Sequence, residues 1–183
     1  MICVAVCGAQ SEGLPPVWEA RKTVQDVLDK LTPLGPLLER LDASVWVDRG
    51  APAVYRDQLK SAQDQFGYVI GTAKRLLQQP DSLSVALETG LRTQSLEFAV
   101  LSVAEVVRRY QNPAIAELLT SQLGESAAQR EKLQRYIIAL AAAKEQELAV
   151  ADREAQRCRD TLSRQPTPAP PKPAAPAKKE VKK

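Results

Sequence analysis

The chain has 183 residues, 44% of them apolar, only 4% aromatic, and not one histidine. That length suits a single domain with an aliphatic core, and the missing histidine removes the commonest general base, metal ligand and partner of a nucleophile, which weighs against an enzyme. The formal charge of +3 belongs to the end of the chain: five lysines from Lys172 onward outweigh Glu180, leaving residues 1–171 at about −1, so no nucleic-acid surface is announced.

The opening MICVAVCGAQSEG is an apolar run closing on small residues, Cys7 and Ala9 standing at −3 and −1 before Gln10. That spacing predicts residues 1–9 to be the remnant of a secretory signal peptide whose start lies upstream, since the run is short and has no basic n-region. Docking of this apolar stretch on the folded part is the bland reading. Acylation of Cys7 is disfavoured by Val6 just before it. A zinc site through Cys3 and Cys7 would have to borrow carboxylates.

Residues 10–163 read as a helical domain. Trp18, Val24, Val27, Leu28 and Leu31 are assigned to one helix face. Thr32-Pro33 and Gly35-Pro36 break that helix, and Leu37, Leu38 and Leu41 make a short second piece. Residues 42–52 read as a connection pinned by Trp46. From Pro52, the positions Tyr55, Leu59, Ala62, Phe66, Val69, Ala73 and Leu76 step 4-3-4-3-4-3, a heptad seam of the coiled-coil kind. Gly67 and Gly71 either weaken that helix or admit a close neighbour. Pro80-Asp81-Ser82 divides it from a helix running from Leu83 to Tyr110, with Leu96, Val100, Val103, Val107 and Tyr110 alternating by four and three. Asn112-Pro113 is an N-cap followed by an N1 proline, opening a short helix with Ile115, Leu118, Leu119 and Leu123 that closes at Gly124. From about Glu125 to Arg164 neither proline nor glycine interrupts, giving a helix of roughly 60 Å. Leu133, Ile137 and Leu140 form its first apolar face, and Leu148, Ala151, Ala155, Cys158 and Leu162 a second. Residues 164–183 hold six prolines and almost nothing to bury, which predicts a disordered or polyproline II tail. Its composition is that of the proline- and lysine-rich spacers of bacterial envelope proteins.

Three places hold candidate chemistry. Cys158 is read as a core thiol, as an inter-chain disulfide in an oxidising compartment, or as a thiol activated by Arg153, Arg157 and Arg159. The junction of Trp46, Tyr110 and Asn112 is a candidate ligand pocket, weighed against a plain cap at Asn112 and an end-plug at Tyr110. The acids of the last helix, from Glu125 and Glu131 to Asp160, lack the Glu-x-x-His pairs of a di-metal bundle and are read as salt-bridging faces. No phosphate loop, nucleophile motif or zinc spacing stands out.

These readings predict an all-α antiparallel bundle of four to five helices with an overlong last helix. Its expected role is that of an exported, periplasmic or secreted, non-catalytic protein of the bacterial envelope. It would bind a protein partner or self-associate, with no cofactor, no metal, no nucleic acid and no transmembrane span, and its tail would touch an anionic envelope surface weakly. The alternative is a periplasmic small-molecule binder. A solid core with a protruding helix favours the first, and a deep apolar cavity the second.

Overall fold

The computed structural model describes residues 13–163. Among them every regular element is helical: α1 (Val17–Leu31), α2 (Leu34–Glu39), α3 (Ala43–Asp48), α4 (Val54–Gln78), α5 (Leu83–Tyr110), α6 (Pro113–Glu125) and α7 (Ala127–Ser163). Five of these are 13 residues or longer, and α7, with 37, is the longest. The chain divides into two units, one up to Gln146 and one from Glu147 onward. The expected signal remnant and tail lie outside the described residues.

The first unit is a helical bundle with an aliphatic core. Val24, Val27, Leu28 and Leu31 of α1 are buried in it, as are Leu59, Ala62, Val69, Ala73 and Leu76 of α4. The heptad spacing read in α4 is thus its buried seam, with Tyr55 and Phe66 packed at the edge. Leu96, Val100, Val103 and Val107 of α5 join the core, and Leu133, Tyr136, Ile137 and Leu140 of α7 close it. Specific contacts fix the neighbours. Arg75 pairs with Glu88 at 3.1 Å, and Ser102 Oγ donates to Gln58 Oε1 at 3.3 Å. The Tyr55 and Tyr110 rings lie 6.1 Å apart. From α7, Arg130 pairs with Glu97 of α5, and the Ile137 side chain sits over Gly90.

Four sequence expectations need correcting. Trp18 is 68% exposed rather than part of the α1 core face. Six residues separate it from Val24, which at about 100° per residue places it well off the stripe. The segment read as a connection contains α3, because Asp42 caps it: its carboxylate accepts from the Ser44 backbone N–H at 2.8 Å and from the Ser44 hydroxyl at 2.7 Å. These two donors hold Asp42 below the usual carboxylate range. Gly35-Pro36 does not break the chain but lies in the first turn of α2, where a missing backbone N–H costs nothing. The two glycines of α4 admit no neighbour either: a Cβ built on Gly67 or Gly71 meets nothing within 4 Å. The close approach is made elsewhere, at Gly35, where a Cβ would come within 2.7 Å of the Phe66 ring.

The second unit, as far as it is described, is the helical stretch 147–163 of α7, and every residue in it is exposed. No helix among the described residues is long and apolar enough to cross a membrane.

Candidate functional site

The structure brings Trp46, Tyr110 and Asn112 to one junction, where the end of α5 turns into α6 beside α3. Each has work there. Trp46 is fully buried, and its indole N–H donates to Gln111 Oε1 at 2.7 Å. Arg49, one residue beyond α3, donates to the backbone carbonyls of Tyr110 and Gln111 at 2.9 and 3.1 Å. Those carbonyls belong to the C-terminal end of α5, where a guanidinium offsets the negative end of the helix dipole. Asn112 accepts from the Ala114 backbone N–H at 2.9 Å, the capping role that its place before Pro113 implies. Tyr110 rests against Tyr55. The junction therefore ties α3, α5 and α6 together.

A cleft of about 720 Å³ opens elsewhere, lined by Gly13–Pro16, the first half of α1, and Lys132, Arg135, Tyr136 and Ala139 of α7. The proline pair Pro15-Pro16 sets its entrance, and Trp18 offers an exposed indole on one wall. Lys132 and Arg135 face it from the other helix, while Lys22 is engaged with Asp26 at 2.9 Å. Tyr136 lines the cleft but turns its hydroxyl inward, donating to the carbonyl of Pro80 in the α4–α5 turn. Burial and the nearby Asp81 charge push the Tyr136 phenol above its ordinary range. Sequence reading missed this cleft. The available signal was the step from Trp18 to Val24, which leaves them about 120° apart and puts the indole off the core face.

Cys158 carries a free thiol and is exposed, so the core reading of this residue does not describe this chain by itself. Leu148, Ala151, Ala155 and Leu162, which share its stripe, are exposed as well. Among the described residues no group of three or more His, Cys, Asp or Glu side chains is placed to hold a metal ion. Of the acids assigned to the last helix, Glu125 ends α6 instead and pairs with Lys30 at 3.6 Å.

The chain matches no protein-family model, no curated protein and no solved structure.

Proposed function

We propose that this is an exported, non-catalytic helical protein of the bacterial envelope that acts through protein–protein contacts. The observation that carries the reading is the stretch 147–163 of α7. It is helical, exposed throughout, and carries the stripe Leu148, Ala151, Ala155, Cys158 and Leu162 at the 3-4-3-4 spacing of a coiled-coil seam. In a parallel, in-register pair of such helices each stripe residue faces its own counterpart, so two Cys158 thiols meet. An antiparallel α4–α5 pair is part of the reading, supported by Arg75 meeting Glu88 and Tyr55 meeting Tyr110. Export rests on the small residues Cys7 and Ala9 before Gln10.

Magnitudes decide how such a contact is held. Leu148 and Leu162 are each about two-thirds exposed, and burying a whole leucine contributes about 1.5–3 kcal/mol. Four such leucines in a pair gain roughly 4–8 kcal/mol, against an association cost of about 4–15 kcal/mol. The stripe offsets that cost only at its lower end, so the Cys158 disulfide is what makes the pairing secure. The test is a non-reducing gel of the full chain after air oxidation. A cross-linked pair that Cys158→Ser abolishes is the expected result. Persistent monomer in the wild type, with no oxidant able to link it, refutes this use of α7.

A second reading, the small-molecule binder, is favoured by the cleft of about 720 Å³, which lies within the size range of ligand pockets. Its chemistry is an aromatic wall at Trp18 opposite the cations Lys132 and Arg135. Quenching of Trp18 fluorescence by small aromatic carboxylates, lost in Arg135→Ala, is the result this reading requires.

A further inference from the structure

We infer that the outward face of α5 is an interface for a second copy of this chain, with a two-fold axis passing beside Gln94. Helix α5 is apolar on two opposite faces. One is the core face, with Leu96, Val100, Val103 and Val107 buried. The other carries Leu87, Leu91, Phe98 and Leu101, which are 44%, 64%, 65% and 44% exposed. At about 100° per residue these four fall within an arc of roughly 80°, and with Gln94 they form one stripe some 21 Å long.

The neighbours leave this stripe open. Helix α4 meets α5 on one flank, through Glu88, Arg92 and Ser102. Helix α6 and the first part of α7 meet it on the other, through Arg108, Gly90 and Glu97. Between these flanks lies the stripe. The helices on these flanks carry two further exposed side chains, Tyr68 of α4, which lies under Arg92 at 4.8 Å, and Ile138 of α7, next to the residue over Gly90. At roughly 200 Å² for a large side chain, the six together present on the order of 700 Å². A standard interface takes about 800 Å² from each partner, whereas an ordinary monomer patch is about 300–600 Å². Two such faces together reach the lower part of the range of about 1,200–2,000 Å² that specific interfaces bury.

The register indicates which partner. The stripe Leu87, Leu91, Gln94, Phe98, Leu101 reads nearly the same in both directions, apolar-apolar-polar-apolar-apolar with steps of 4, 3, 4 and 3. A two-fold contact needs a surface complementary to itself. When two α5 helices cross in opposite directions at residue 94, Leu87 faces Leu101 of the second copy, and Leu91 faces Phe98 of the second copy. The two Gln94 amides meet at the axis, where each offers both a donor and an acceptor. Ser95 and Ser102 flank the seam on one side; on the other lie Gly90 and Glu97, whose charge is paired with Arg130 of its own chain. At the ends, Glu105 approaches the N-terminus of the partner α5, the favourable end of its dipole. An unrelated partner would not require this palindromic order.

The interface is independent of the terminal stretch of α7 and is tested without it. The full chain is prepared with Cys3, Cys7 and Cys158 all replaced by serine, which removes any disulfide, and its mass is followed by sedimentation equilibrium. A dimer that dissociates on dilution through the micromolar range is expected. Phe98→Glu weakens it about tenfold or more while the melting curve stays cooperative. In the same background, Gln94→Cys links two copies on oxidation. Leu87→Cys alone does not, because its two copies lie about 21 Å apart, but Leu87→Cys mixed with Leu101→Cys does. If Phe98→Glu fails to fold, Leu91→Ser replaces it, and the Gln94→Cys link reads the same interface separately. A monomer at all concentrations, a dimer indifferent to both substitutions, or linking through Leu87→Cys alone overturns the inference.

Discussion

Four glycines in the first unit predict opposite responses to the same substitution. Gly67 and Gly71 lie in the interior of α4, exposed, with open space where a Cβ would go. Replacing either by alanine removes the backbone-entropy penalty of glycine in a helix, worth about 0.8–1.0 kcal/mol. Gly35 sits in the first turn of α2, and its Cβ would fall 2.7 Å from Phe66 Cε1 and 2.9 Å from Cζ. Two atoms of a rigid ring cannot step aside by a bond rotation at the tip, so α2 or the ring must move, and overpacking of this kind costs about 1–3 kcal/mol. Gly90 is intermediate. Its Cβ would meet only the terminal methyl of Ile137, which turns away easily, so the helix gain and the crowding nearly cancel. In a fold of this size 1 kcal/mol moves the melting temperature by about 2–4 °C. Thermal melts of the four single variants are therefore expected to rank Gly67→Ala and Gly71→Ala above the wild type, Gly90→Ala beside it, and Gly35→Ala several degrees below. A fall in stability for Gly67→Ala, or none for Gly35→Ala, refutes the reasoning, because it means the packing around α2 and α4 is not as described.

Two more outcomes follow from single side chains. Trp46→Phe removes the donor to Gln111 Oε1 and leaves that acceptor short of a partner, so denaturant melts should show a loss of about 1–3 kcal/mol; a neutral result means that water replaces the indole. The Tyr136 phenol is raised above its ordinary value of 10.0 by burial. Its contribution is therefore complete below the unfolded pKa and is lost as pH rises through the folded one. Stability should fall in strongly alkaline solution, and Tyr136→Phe should flatten that fall while lowering stability at neutral pH through loss of the bond to the Pro80 carbonyl. An unchanged alkaline profile in the variant assigns the fall to other groups.

Helix boundaries and the core were legible wherever local chemistry and periodicity agree. Asn112-Pro113 marks the start of α6 because a cap and a fixed φ are properties of adjacent residues, and the seam of α4 shows because its steps repeat for three heptads. Helix α3 was hidden: six residues carry too little periodicity, and its decisive bond, Asp42 to Ser44, is a cap that also occurs in turns. The exposed face of α5 was also unreadable. Sequence picks out Leu96, Val100, Val103 and Val107 as the seam, and they are buried, but it does not show that Leu87, Leu91, Phe98 and Leu101 opposite them stay uncovered. The same holds for Leu148 to Leu162, whose spacing is that of a seam although every residue in it is exposed. Periodicity assigns residues to a face, a property of the chain within a few turns. What covers that face depends on residues far away in sequence, here Gly90 against Ile137 and Trp46 against Gln111, and only the tertiary structure brings those together.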